Sequence, residues 1–126
     1  MLNGRQVSAS IPVADPERAQ RWYAEKLGLV PSTAFPDGGA LYTSGGSTFT
    51  LYRTPSAGQA AHTLAGIAST DIEADVRELK ARGVVFEEYD MGDIKTVDSI
   101  ASLGPAKAAW FRDSEGNILG LFQGPM

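Results

Sequence analysis

The sequence predicts an α+β domain built from two tandem βαβββ modules, and three observations carry that prediction. The order strand, helix, three strands reads twice along the 126 residues. Each helical stretch opens on an aspartate and stops at a glycine, Asp15 to Gly28 in one half and Asp71 to Gly83 in the other. The closing strands share a spacing: "GSTFTLYRTP" at 46–55 and "GNILGLFQGP" at 116–125 both run Gly, four residues, Leu, an aromatic, two residues, Pro.

The first module spans about 5–54. "RQVSASIPV", 5–13, mixes β-branched and small polar residues and reads as a strand. Asp15 then caps a helix with Pro16 at its first position, where the missing N–H costs nothing. In "PERAQRWYAEKLG" the residues Ala19, Trp22, Tyr23 and Leu27 fall on one helical face, which places Trp22 and Tyr23 in the core. Three short extended segments follow, at about 29–35, 40–44 and 47–53, separated by "PDGG" and "GG". The stretch at about 55–61 is small, polar and broken by Gly, as a linker is.

The second module occupies 62–126. "HTLAGIAS" reads as a strand, and "DIEADVRELKARG" as a helix with Ile72, Val76 and Leu79 on its buried face. "VVFEEYD", "AKAAWFRD" and "ILGLFQ" read as strands, the last entered through the "DSEGN" hairpin turn. Trp110 and Phe111 are adjacent, so one faces each side of its strand. The fifteen residues at 91–105 show no clear period and read either as a lid over a site or as a surface excursion. The acidic Glu87, Glu88, Asp90 and Asp93 read as a solvated face.

Composition narrows the function. With no cysteine there is no disulfide, thiolate metal site or thiol nucleophile, and the expected setting is the cytoplasm. Eleven Lys and Arg against 15 Asp and Glu leave a net charge of −4 with the basic residues scattered, which excludes the footprint of a nucleic-acid binder. No stretch has the apolar length of a membrane span and none reads as a secretory leader.

"IPVADPERAQRWYAEKLGL" at 11–29, "DIEADVRELKARGVVFEE" at 71–88 and "WFRDSEGNILGLFQ" at 110–123 together resemble the vicinal oxygen chelate superfamily, which includes glyoxalase I, bleomycin-resistance proteins, fosfomycin-resistance enzymes and extradiol dioxygenases. The resemblance implies eight strands curled into one cupped mixed sheet, with helices on the convex side and the ligand in the concavity. It also implies four metal-ligand positions, in the first and last strand of each module. Carried over, these fall on Ser8, Thr50, Leu64 and Gly120, none of which supplies an imidazole or a carboxylate. His62, the only histidine, stands two residues before Leu64, within reach of that position by a bulge or register shift.

The expectation is therefore a metal-free, cofactor-free protein of the bleomycin-resistance type that sequesters an organic, aromatic ligand as a homodimer. The alternative is a metal-dependent lyase, isomerase or dioxygenase of the glyoxalase type. Strand alternation puts Thr48, Thr50 and Tyr52 on one face and Ile118, Gly120 and Phe122 on the matching face, with Leu51, Leu119 and Leu121 turned to the helices. The expected ligand-binding set is Ser8, Ser10, Thr48, Thr50, Tyr52, His62, Leu64, Trp110, Gly120 and Phe122. His62 and Tyr52 are the candidates for proton transfer, should there be chemistry.

Overall fold

A computed structural model describes residues 1–125. Ten strands and two helices follow in the order β1 (Ala9–Val13), α1 (Pro16–Trp22), β2 (Thr33–Ala34), β3 (Ala40–Ser44), β4 (Ser47–Arg53), β5 (Thr63–Ala68), α2 (Ile72–Ala81), β6 (Asp90–Met91), β7 (Ile94–Val97), β8 (Ile100–Leu103), β9 (Ala106–Arg112) and β10 (Ile118–Gln123). Both helix starts form as the sequence dictates, with Asp15 Oδ1 accepting from Arg18 N at 3.1 Å and Asp71 Oδ1 from Ala74 N at 3.1 Å. From Trp22 the first helix widens into a π-helical turn, Tyr23–Leu27, and stops at Gly28, whose φ of 71° suits a residue without Cβ.

The strands form two sheets, in place of the single eight-stranded sheet expected. One has the order β1-β4-β3-β2 and the other β5-β10-β9-β8-β7-β6. The repeat is plain in the pairing: each module sets its first strand parallel to its last, β1 on β4 and β5 on β10. Consequently β1 and β5 are both edge strands.

Two expected segments differ. Within 84–90, where one strand is expected, Phe86 makes a single bridge to Phe111 and Glu87 N donates to Trp110 O at 2.8 Å. The chain then leaves β9, and Tyr89 N donates to Thr96 Oγ1 at 2.8 Å. The aperiodic 91–105 is a meander of β6, β7 and β8. Its tight turn holds Asp98 and Ser99 at φ 51° and 73°, a conformation that Asn-Gly usually supplies, so the usual hairpin signature is missing from the sequence. The carboxylate of Glu88 holds that turn, accepting from Ser99 N at 3.1 Å, Ser99 Oγ at 2.5 Å and Thr96 Oγ1 at 2.8 Å. Glu88 is thus a turn clamp, and Glu87 pairs with Arg112, so only part of the acidic run is simply solvated.

The two modules share one core. Ile11, Val13, Tyr42 and Leu51 of the first meet Phe111, Leu119 and Leu121 of the second, together with Ile72, Val76 and Leu79 from α2. Trp22 stacks on Phe111 at 6.3 Å between centroids, so α1 packs across the module boundary. Phe111 is the member of its pair that enters this core, and Trp110 joins a second cluster with Ala101, Ala108 and Ile118 on the opposite face.

The β9–β10 turn fastens this arrangement. Asp113, only 6% exposed, accepts from Tyr23 Oη at 2.7 Å and from Asn117 Nδ2 at 2.9 Å. Asn117 also donates to Pro12 O at 2.7 Å, and its own Oδ1 accepts from Gly58 N at 3.2 Å. Glu115 Oε1 accepts from Ala14 N at 3.0 Å and Asp15 N at 2.8 Å, while Oε2 pairs with Arg18 Nε at 2.9 Å.

Burial pushes the Glu115 carboxyl up, but the Arg18 guanidinium, the Asp15 N–H and the Ser114 hydroxyl outweigh it and hold the group below its ordinary value. A carboxyl lowered by folding contributes stability that is complete above its unfolded pKa of about 4.3 and is lost as pH falls through the folded value. Glu115→Gln should therefore be less stable than wild type at neutral pH, with the gap in urea midpoint closing below about pH 4.3. A gap that stays constant down to roughly pH 3 would show that the charge contributes nothing. Tyr42 supplies a second check: its hydroxyl is buried without a hydrogen-bond partner among the described residues, and burial pushes its pKa up to about 12. Tyr42→Phe should leave stability unchanged or raise it by about 1 kcal/mol in the same titration, and a clear loss would reveal an unseen partner.

Candidate ligand cleft and the four carried-over positions

Where the edge strands β1 and β5 approach one another, a cleft of about 530 Å³ opens into the shared core. Ala9, Ile11 and Phe49 line its first-module side, and the whole run Leu64 to Ala68, with Leu119, lines the other. Tyr23, Leu29 and the β3–β4 hairpin, with the Ser44, Ser47 and Thr48 hydroxyls, complete it, and no side chain along its wall is charged. The Tyr23 hydroxyl is committed to Asp113, and burial, reinforced by that carboxylate, pushes its pKa far above the ordinary range, so it is a fixed neutral group. Volume and lining match those of small-molecule sites, apolar with few polar groups. A second depression, about 600 Å³ beside the start of α1, is shallower and carries Asp15, Glu17, Asp37 and Arg53, so it is a charged surface hollow rather than an enclosure.

The residues singled out in the sequence fall into separate groups. Ser8 Oγ donates to Thr48 O at 3.1 Å and Thr48 Oγ1 lies 3.0 Å from Ser8 Oγ. Ser10 sits beside Thr50 in register and Pro12 beside Tyr52, which is 55% exposed. These form a hydroxyl-rich outer face on the first sheet. Trp110 lies opposite Gly120 on the second sheet, with Tyr89 edge-on to Trp110 at 5.4 Å. Of the ten, only Thr48 and Leu64 line the cleft, and His62 is exposed just before β5 begins. Phe49, Gly66 and Ile67 line the cleft though the sequence gives them no role, and Tyr23 and Leu119, expected only in the core and against the helices, line it as well. "LAGIA" was readable as a strand, but that its outer edge is bare is a property of the topology.

Of the four positions that the resemblance assigns to metal ligands, Thr50 carries only a hydroxyl, and the other three are occupied otherwise. Ser8 is hydrogen-bonded to Thr48, Leu64 has no donor, and a Cβ added to Gly120 would stand 3.0 Å from two carbons of the Phe122 ring. That ring also covers Gly66, where an added Cβ would be 2.5 Å away. The space a carboxylate would need is filled by an aromatic side chain. The β5–β10 register does shift, between Ile118 and Leu119, yet His62 remains outside the strand. Among the described residues no three His, Cys, Asp or Glu gather as a metal would require.

The fold, the paired modules and the position of these sites define a glyoxalase-like protein. The family model "Glyoxalase/Bleomycin resistance protein/Dioxygenase superfamily" matches residues 5–121, and the chain belongs to that family. UcmS2 superposes with a TM-score of 0.75 at 18% identity, covering 95% of this chain and 98% of the other. TnmS3, an antibiotic binding protein from Streptomyces sp. CB03234, gives 0.70 at 22%, covering 99% of both. A glyoxalase/bleomycin resistance protein from Catenulispora acidiphila gives 0.64 at 21%, covering 95% and 98%. At these identities the likeness establishes the fold. No curated protein sequence matches the chain. Among the described residues no helix is long and apolar enough to cross a membrane.

The close fit of Phe122 against two glycines has a measurable consequence. Gly66→Ala should destabilise the protein by about 1–3 kcal/mol through overpacking, and Phe122→Ala in the same chain should recover much of that loss. Additive penalties in the double-mutant cycle would mean that the ring does not rest on Gly66.

Proposed function

We propose that this chain is a metal-free binding protein that sequesters a neutral, largely apolar organic molecule with an aromatic part in the cleft between β1 and β5. The observation that carries this reading is the cleft's wall: enclosed by both modules, without a charged side chain, and bounded by the rings of Phe49 and Tyr23. An ionised group buried there would have no counter-charge, whereas a ring would find stacking partners. The antibiotic-binding role of TnmS3 supports the reading. The glyoxalase-type lyase, isomerase or dioxygenase reading would need a donor set for its ion, and among the described residues no three His, Cys, Asp or Glu gather.

Thr48 and Leu64 belong to the ligand's surroundings in this proposal. Ser8, Ser10, Thr50 and Tyr52 on the outer face of the first sheet are the surface we assign to a second copy in a cytoplasmic homodimer, whereas Trp110 and Gly120, buried beside Phe122, are given a packing role. His62 is exposed just before β5, and neither it nor Tyr52 is given a chemical role.

Thermal unfolding in the presence of planar aromatic antibiotics tests the reading. A ligand at a hundred times its dissociation constant adds about 2.7 kcal/mol, a rise of roughly 10 °C for a chain of this size. Phe49→Ala should abolish that rise while leaving the ligand-free protein folded. The absence of any stabiliser, or stoichiometric zinc, iron, nickel or manganese in protein purified without a histidine tag, would overturn it.

A further inference from the structure

Of the two edge strands that frame the cleft, one is blunted and the other is bare. In β1, Pro12 has no N–H to offer, and its carbonyl is taken by Asn117 Nδ2 at 2.7 Å. Proline on a free edge and a side-chain cap over its carbonyl are ordinary ways of closing a strand to further pairing. β5 has neither device. It pairs with β10 alone, and Ser69 N donates to Phe122 O at 2.8 Å, so by alternation Ile67 also turns its backbone groups to β10 while Gly66 and Ala68 turn theirs away. Both residues are exposed, and both line the cleft. Two N–H and two C=O groups thus stand at strand spacing along an uncharged, apolar cavity.

Resting on the reading of this cleft as the ligand site, we propose that its ligand carries uncharged amide groups and binds as an added strand on β5, a short peptide or peptide-like small molecule. The pairing groups are the N–H and C=O of Gly66 and Ala68, and the ligand's apolar side groups lie against Ile11, Phe49 and Leu119. The choice of occupant follows from the chemistry of the wall. A carboxylate, phosphate or ammonium in the cleft would meet no opposite charge. An amide is neutral and carries a donor and an acceptor in the alternation that a strand edge demands. The enclosure by β1 and Phe49 gives about 530 Å³, the size of a small-molecule site, where a second copy's sheet would need an open flank. Gly66 cannot carry a side chain because of Phe122, which keeps the edge accessible at its centre.

The test is a titration of ¹⁵N-labelled protein with acetyl-Val-Ala-Val-Ala-amide, compared with the same peptide methylated on its backbone nitrogens. Binding should slow hydrogen exchange at the Gly66 and Ala68 amides by about tenfold or more at saturation, and N-methylation should weaken binding by at least about tenfold. Ala68→Pro removes one outward N–H without touching a β5–β10 bond and should weaken the unmethylated peptide likewise, with the circular dichroism unchanged. Equal binding of both peptides, no binding of either, or exchange at Gly66 and Ala68 untouched at saturation overturns the proposal. Protection of those amides without peptide, rising with protein concentration, also overturns it by naming a second copy as the occupant. An aromatic ligand that stabilises the protein through Phe49 while leaving those amides unprotected would defeat this proposal and leave the binding function standing.

Discussion

The arrangement of the whole chain depends on the Asp113 carboxylate. It is nearly sealed from water and accepts from Tyr23 of the first module's helical segment and from Asn117 of its own turn. A buried carboxylate is tolerated only where donors replace the water it has lost, so its desolvation is offset only when both modules are in place. Its other oxygen accepts from Glu115 N and Asn117 N at 2.9 Å, shaping the turn that presents Glu115 to Ala14 and Asp15. One hairpin of the second module thereby fixes the strand end and helix start of the first. The apolar packing of Trp22 on Phe111 is then brought into register by a directional network rather than by burial alone.

That fastening also determines where a cleft can exist. Asn117 holds Pro12 at one end of β1, and Gly58, shortly before β5, is tied to the same side chain. The edges of β1 and β5 are therefore pinned together near one end and free to stand apart beyond it. The cavity begins at Ala9, Ile11 and the β5 backbone, where no such side chain bridges the gap. A polar device that stabilises the module pair and an apolar opening between the same strands are two ends of one seam.

Much of this was legible in the sequence, and the failures have physical causes. Helix starts at Asp15 and Asp71, stops at Gly28 and Gly83, and the inward leucines 51, 119 and 121 follow from local chemistry that acts over a few residues. The β7–β8 hairpin inside 91–105 carries no local signature because its turn residues are Asp98 and Ser99 rather than glycine, and the carboxylate that holds Ser99, that of Glu88, lies eleven residues earlier. The "DSEGN" turn read as plain hairpin chemistry because its partners, Pro12, Ala14, Asp15, Arg18 and Tyr23, lie about a hundred residues earlier. Periodicity separates the faces of a strand, but the unpaired edge that borders the cleft is decided by which strands become neighbours.

Gly120 shows why absence of a ligand and presence of a substitute are different statements. From the sequence it is a missing carboxylate; in the fold it is the floor under the Phe122 ring, with Gly66 beside it in register. Restoring a carboxylate there would have to displace an aromatic ring from two strands at once, and the first strand of each module would still offer only Ser8 and Leu64. The packing of this face therefore seats the Phe122 ring on Gly66 and Gly120, while the free edge of β5 borders the cleft between the two modules.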